Sequence, residues 1–392
     1  MNIAYIAFVE LDVANACVVH AREISEALAL AGHDVTIFLP KPLASQKWEK
    51  VKQVWIRLWG FGGIKEILFH IECLFKMIML HRNKRFDLIY LRDMENNGIF
   101  PTVAKLLSVP LVIEVNGWGI DYMKMAGASI SQIEKFRKRQ QSDFETASGI
   151  IASTPGIAAD IIREYHVDKE NVLIQELGAN VELFKPGDQK ASRRALELPQ
   201  DGKIILFAGS FAPNHDLSTL LRAFKKVLAD KKDADATLLL IGSGQQSGQV
   251  KRTVTELGLT NHVLLPGAID YDKLGPWFKA ADIGVNPLTM QNIKRRNGCM
   301  TLKLWDYMAG GLPVVSTDIP GTETYQFINE YGIPVQPGNP DEMAHAIITL
   351  LEDETLRSTL STRSRDYVLQ NRTWTKAAME TEKLLVNLAR KK

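Results

Sequence analysis

At 392 residues the chain is too long for one ordinary core and suits two domains of roughly 150–200 residues each. Hydrophobic residues at 46% and charged residues at 23% exclude a disordered or fibrous chain, and a net charge of +2 gives the whole molecule no signature of nucleic-acid binding. Three cysteines, Cys17, Cys73 and Cys299, are odd in number and far apart, which fits neither a disulfide framework nor a zinc site and points to a reducing compartment.

The N-terminal MNIAYIAFVE lacks a charged leader, and its apolar run stops at Glu10 and Asp12 as a buried strand does. No segment reaches the 18 or more apolar residues of a spanning helix, so the expected location is cytoplasmic. Short β-branched runs then alternate with helical periodicity. Strands are expected at Ile3–Val9, Val35–Leu39, Asp87–Leu91, Leu111–Val115 and Gly149–Ala152, with helices at Val18–Ala31 and Phe100–Leu107. A parallel, doubly wound α/β sheet is the economical arrangement.

From Lys47 to Arg85 nine Lys or Arg face three Glu, with Trp48, Trp55, Trp59, Phe61, Phe69 and Phe75 interleaved. That composition suits an interfacial segment at an anionic membrane, on the inner face of the plasma membrane for a cytoplasmic protein. The run Ile64, Ile67, Leu68, Ile71, Leu74, Phe75, Ile78 equally fits a buried core helix.

Lys185-Pro186-Gly187-Asp188 breaks the pattern, which divides the chain into 1–187 and 188–374. Strands are expected again at Lys203–Ala208, Ala236–Ile241, His262–Leu265, Ile283–Asn286 and Pro313–Ser316. The last helical pattern, about 375–392, is expected to pack back on the first domain. Ligands of open α/β sheets bind beyond the carboxyl ends of the strands, so the loops there hold the candidate site.

Those loops resemble glycosyltransferase family 4. Thr301–Gly321, TLKLWDYMAGGLPVVSTDIPG, is similar to the family's sugar-donor-binding helix, strand and turn, in the subgroup whose helix begins Leu-Lys-Leu and ends Tyr-Met-Ala. LLLIGSG (238–244), VLLPGAI (263–269), AADIGVNPL (280–288) and GIPVQPGNPDEMAHAI (332–347) follow the family's order. AREISEALALAGHDVTIF (21–38), FDLIYLRD (86–93), PLVIEVNG (110–117) and ELGANVELFKP (176–186) match more loosely in the first half. The resemblance implies the GT-B fold, two Rossmann-like domains facing across a cleft. It further implies retaining transfer of a hexose-type sugar from a UDP- or GDP-linked donor to a glycan or lipid-linked acceptor in cell-surface polysaccharide or glycolipid synthesis. No cofactor and no catalytic metal are expected.

Physical chemistry supplies roles for the matching residues. A helix N-terminus offers unpaired N–H groups to a diphosphate, and Cys299, Met300 and Thr301 stand at such a start, with Thr301 as N-cap. Lys303 and Asp306, three apart on one helix face, suit the phosphates and the ribose; a solvated surface pair is the bland alternative. The resemblance assigns Gly209, Ser210, Gly242, Ala268 and Ile269, in strand-end loops, to the sugar donor, and Asn15-Ala16 stand where relatives carry paired glycines. The loop 209–221 lacks the usual Arg and Lys; His215 is the candidate there, against a merely solvated histidine, and Arg295 or Arg296 replaces the charge. Gly298 stands where many members carry a glutamate. Asn116, after Leu111–Val115, is the candidate for holding the transferred sugar, against a turn-forming Asn before Gly117. His20 either lines or caps its helix.

Gly242-Ser243-Gly244 lacks the third glycine of a dinucleotide fingerprint, which sets an oxidoreductase aside. Asp233-Ala234-Asp235 precedes its strand, on the wrong end of the sheet for a metal pair. A sugar-nucleotide epimerase of the same architecture and an inactive nucleotide- or glycan-binding protein stay open.

Overall fold

In the computed structural model the described residues are 1–11, 16–43, 47–58, 63–94, 97–125, 127–230, 235–289, 301–319 and 323–390. The chain divides into two compact units, Met1–Leu177 with Trp374–Lys392, and Gly178–Thr373. The first unit therefore ends before the Lys185–Asp188 stretch, and the last helix, Trp374–Arg390, belongs to it.

The first unit is built on strands β1 (Asn2–Ile6), β2 (Asp34–Pro40), β3 (Lys52–Ile56), β4 (Leu88–Arg92), β5 (Leu111–Val115), β6 (Gly149–Ala152) and β7 (Val172–Ile174). Every pairing is parallel, in the order β3-β2-β1-β4-β5-β6-β7. Helices cover both faces of such a sheet, which is why Ile3 to Ala7 read as an unbroken apolar run and are all fully buried. Local chemistry starts the helices: Thr154 caps Pro155–Tyr165 by accepting the Ile157 N–H at 3.1 Å with Pro155 in the first turn, and Ser129 and Gln132 form a capping box.

The second unit repeats the plan with β8 (Lys203–Ala208), β9 (Ala236–Ile241), β10 (Val263–Gly267), β11 (Ile283–Asn286), β12 (Val314–Thr317) and β13 (Gly332–Val335), parallel in the order β10-β9-β8-β11-β12-β13. Three strands depart from expectation. β3 and β13 are half-buried edge strands, and β7 has three residues; Pro334 within β13 reads as a strand breaker but is tolerated at a sheet edge. β1 also stops at Ile6 instead of running to Val9.

The helix Gly63–Asn83 is apolar on two faces. Phe69, Cys73 and Met77 are fully buried in the core of the first unit, whereas Ile64, Ile67, Ile71, Phe75 and Met79 are each more than half exposed. The core-helix reading thus accounts for one stripe only. Of the aromatics interleaved there, Trp48 and Phe69 are buried, Trp55 is half-buried, Phe75 is exposed, and Trp59 and Phe61 lie outside the described residues.

Two buried polar clusters sit at the carboxyl ends of β1, β4 and β5. In one, His20 Nε2 lies 3.1 Å from Glu114 Oε1, Arg92 Nη1 contacts His20 Nδ1, and the Tyr5 hydroxyl donates to Glu114 Oε2 at 3.1 Å. Burial lowers His20 to about 4, with Glu114 opposing and Arg92 reinforcing the shift, so the ring is neutral. In the other, the Asn97 amide donates to Asp93 at 2.9 Å and to Asp143 at 3.0 Å, and desolvation raises Asp93 to about 7 against its hydrogen bonds from Asn97 and Gln140.

The two shifts oppose each other. His20, depressed in the folded state, costs stability as pH falls from 6.5 through about 4. Asp93, raised in the folded state, gives a contribution complete below 3.8 and lost as pH rises through about 7. Asp93→Asn keeps an acceptor for Asn97 and removes the second titration. Relative to the parent it is expected to gain on the order of 2 kcal/mol between pH 4.5 and pH 7.5, measured by urea unfolding at both pH values; an equal difference at the two would contradict the assignment.

Candidate active site

Strand order reverses direction between β8 and β11, and an open parallel sheet leaves a crevice at the carboxyl ends where that happens. The loops after β8, β9, β11 and β12 meet there. The Gly242 N–H donates to the Gly267 carbonyl at 2.8 Å and the Gly209 N–H to Ile241 at 2.9 Å. A Cβ on Gly242, whose φ is +145°, would stand 1.9 Å from the Gly209 carbonyl oxygen, so no other residue fits. At β11 and β12, Asn286 Nδ2 donates to Ser316 Oγ at 3.0 Å, and Thr317 Oγ1 accepts the Leu288 N–H at 2.6 Å.

The helix Leu302–Ala309 lies against this floor. Lys303 packs its stem over Gly209, where a Cβ would meet Cε at 2.8 Å, and its ammonium Nζ lies 2.6 Å from His215 Nε2. The Nδ1 of His215 lies 2.7 Å from the Ser210 carbonyl oxygen. Phe207 sits beneath both, 5.5 Å from the ammonium and 5.4 Å from the imidazole by centroid. One turn along the helix, the Tyr307 hydroxyl accepts the Ala208 N–H at 2.8 Å; burial pushes this phenol well above its usual range, and the Ala208 contact opposes that rise.

Several expectations meet in one place. Gly209, Ser210, His215, Gly242, Thr301, Lys303 and Asp306 all belong to these loops and this helix. His215 is 4% exposed and Asp306 7%, so neither the solvated histidine nor the solvated surface pair describes them. Thr301 occupies the N-cap position, but its hydroxyl makes no capping bond and lies 3.5 Å from Asn286 Nδ2 instead, a correction the neighbouring strand end explains. Ala268 is exposed and Ile269 half-buried just beyond β10. Arg295, Arg296, Gly298, Cys299 and Met300 lie outside the described residues, as do Asn15, Asp233 and Ala234.

In the first unit, Ala16 opens its helix and is exposed, and Asn116 follows β5 directly with a buried Nδ2 that has no hydrogen-bond partner among the described residues. His20 lines its helix within the Glu114–Arg92 cluster and does not cap it. Sequence reasoning missed Tyr307, Asn286 and Phe207, and also Arg92 and Glu114. The one usable signal was polar residues closing apolar strands, in LIYLR, LVIEV and IGVN.

Residues 202–353 match the sequence family described as Glycosyl transferases group 1, and residues 17–183 match Glycosyltransferase Family 4. This chain belongs to the GT4-like glycosyltransferase family. Its curated relatives include the D-inositol 3-phosphate glycosyltransferases of Thermobispora bispora, 27% identical over 55% of this chain and 51% of that one, and of Corynebacterium diphtheriae, 26% identical over 76% and 70%. The glycosyltransferase thus spans about half the length of the first of these relatives. Among solved structures it superimposes on sucrose-phosphate synthase from Thermosynechococcus elongatus with a TM-score of 0.79, at 21% identity and full coverage of both chains. It matches Anabaena HepE, solved with UDP-glucose, with a TM-score of 0.74, at 16% identity over 99% and 100% of the two chains. The glycosyltransferase has the GT-B fold, two α/β domains on wholly parallel sheets.

Proposed function

We propose that this glycosyltransferase moves a hexose-type sugar from a UDP- or GDP-linked donor to a glycan or lipid-linked acceptor in cell-surface polysaccharide or glycolipid synthesis, with retention at the anomeric carbon and without a catalytic metal. The observation that carries the reading is the convergence of the Gly209 and Gly242 backbones with Lys303 at the β8/β11 reversal, on the helix that also carries Asp306. Glycines let backbone approach a diphosphate, Lys303 offers a cation to it, and Asp306 offers an acceptor to the ribose hydroxyls. HepE, which shares the fold, has been solved with UDP and with UDP-glucose.

In front-face displacement the bond from the anomeric carbon to the diphosphate oxygen breaks while the acceptor oxygen bonds to the same face. The acceptor proton passes to the departing diphosphate. The protein's part is to position the reactants and stabilise the charge that grows on the leaving group, the task given to Lys303. Asn116 is the candidate for holding the transferred sugar near its reactive carbon.

The exposed stripe of the Gly63–Asn83 helix suits an anionic membrane surface. Seven of the fourteen exposed large hydrophobics among the described residues fall between Leu43 and Met79, and Lys47, Lys50, Lys52, Arg57 and Lys65 are exposed in the same stretch, with Arg82 exposed just beyond it. Exposed apolar side chains interspersed with exposed cations along the chain suit a headgroup boundary. No described helix is long and apolar enough to cross a membrane.

Two experiments test the reading. Asp306→Asn keeps the side-chain shape and removes a charge-assisted contact, so affinity for UDP-sugar or GDP-sugar by calorimetry should fall about ten- to hundredfold with thermal unfolding unchanged; parental affinity would contradict the ribose assignment, and loss of turnover with EDTA, restored by manganese or magnesium, would contradict metal independence. Separately, the protein should float with vesicles of phosphatidylcholine and phosphatidylglycerol at low salt, and Ile67→Asp with Ile71→Asp should abolish flotation without lowering the melting temperature. Failure of the parent to float removes the membrane from the proposal.

A further inference from the structure

We propose that His215 is a positioning residue, a neutral imidazole whose Nε2 lone pair holds the Lys303 ammonium over Gly209, and that it brings no charge of its own to the diphosphate. This deepens the reading of the β8/β11 loops as the sugar-donor site and rests on it.

The tautomer follows from the partners. The Ser210 carbonyl oxygen only accepts, so the 2.7 Å contact requires a hydrogen on Nδ1. An ammonium only donates, so the 2.6 Å contact between Lys303 Nζ and Nε2 requires a lone pair there. A ring with hydrogen on Nδ1 and a lone pair on Nε2 is neutral. An imidazolium would set one N–H against another at 2.6 Å, with the ring 4% exposed and little water to screen the repulsion. Asn214 Nδ2, 3.4 Å from the same Nε2, is a further donor and demands the same lone pair.

The chain from the Ser210 carbonyl through imidazole to ammonium fixes Lys303 relative to the loop it serves. The main chain on either side is held as well: Tyr307, one turn after Lys303, accepts the Ala208 N–H, and His215 bridges to Leu288 at the start of the loop after β11. A lysine ammonium on a four-carbon stem loses rotamer freedom when it is ordered, and a fixed acceptor prepays that loss before the leaving group needs the charge. A positive charge at position 215 would repel the Lys303 ammonium, which lies 2.6 Å from His215 Nε2.

Two substitutions separate the hydrogen bonds. The Asn amide nitrogen falls near imidazole Nδ1, so His215→Asn keeps the bond to Ser210 and removes the acceptor for Lys303. The Gln amide oxygen falls near Nε2, so His215→Gln keeps the acceptor and removes the bond to Ser210. With a UDP-sugar or GDP-sugar that the parent binds, kcat should fall about ten- to hundredfold in His215→Asn, with a smaller change in the sugar-nucleotide dissociation constant, and His215→Gln should recover most of that loss. In a Lys303→Met background neither change should lower kcat further. Equal losses in Asn and Gln variants, or losses that multiply in the Lys303→Met background, would overturn the proposal. Nitrogen-15 NMR of histidine-labelled parent protein reads the tautomer without any ligand: a protonated Nδ1 with an unprotonated Nε2 is expected, and the opposite tautomer or a charged ring at pH 7.5 overturns it. A protein that shows the expected tautomer but binds neither UDP nor GDP contradicts the sugar-donor reading and leaves the Lys303–His215 pair standing.

Discussion

The 1.9 Å that would separate a Cβ on Gly242 from the carbonyl oxygen of Gly209 sets how closely the loops after β8 and β9 approach. That approach brings main chain together at the reversal of strand order, and the contacts around it follow in turn. Gly242 is tied to Gly267, Gly209 to Ile241, and Lys303 can lie across Gly209 only because that residue has no side chain. The helix Leu302–Ala309 is then pinned to the same floor by Lys303 and Tyr307, both facing the β8 end. Among the described residues, close approach of backbone sets the geometry of this site.

The sequence made much of this legible. Alternation of β-branched runs with helical periodicity located ten of the thirteen strands among the described residues, because strands buried on both faces are apolar throughout. The missing three are edge or very short strands, where one side meets solvent or a neighbour is lacking and the apolar signal thins. Gly209, Gly242, Lys303 and Asp306 were visible through spacing and resemblance. The partner of Lys303 was not: nothing in the spacing from His215 to Lys303, 88 residues, encodes a 2.6 Å contact, which arises only when β8 and the helix Leu302–Ala309 are brought together by the sheet. Thr301 shows the reverse failure, since an N-cap residue type in the N-cap position lost its capping bond to a strand end that local reasoning does not see.

The first unit carries two kinds of polar commitment. At the ends of β1, β4 and β5 it buries His20, Arg92 and Glu114 in mutual contact, an arrangement in which removal of any one member strands the others in a low dielectric. On its outside it does the opposite, leaving an apolar stripe on the helix Gly63–Asn83 in water while the same helix sends Phe69, Cys73 and Met77 inward. A periodicity plot cannot tell these stripes apart, because both are apolar; burial alone does.

The central claim is that a nucleotide diphosphate is held at the β8/β11 reversal. Hydrogen–deuterium exchange with and without saturating UDP or GDP tests it most directly. Slowed exchange is expected at 209–216, 242–247 and 301–307, where backbone and helix surround the phosphates and ribose. Bound nucleotide that leaves those amides unchanged and slows exchange elsewhere would contradict the account.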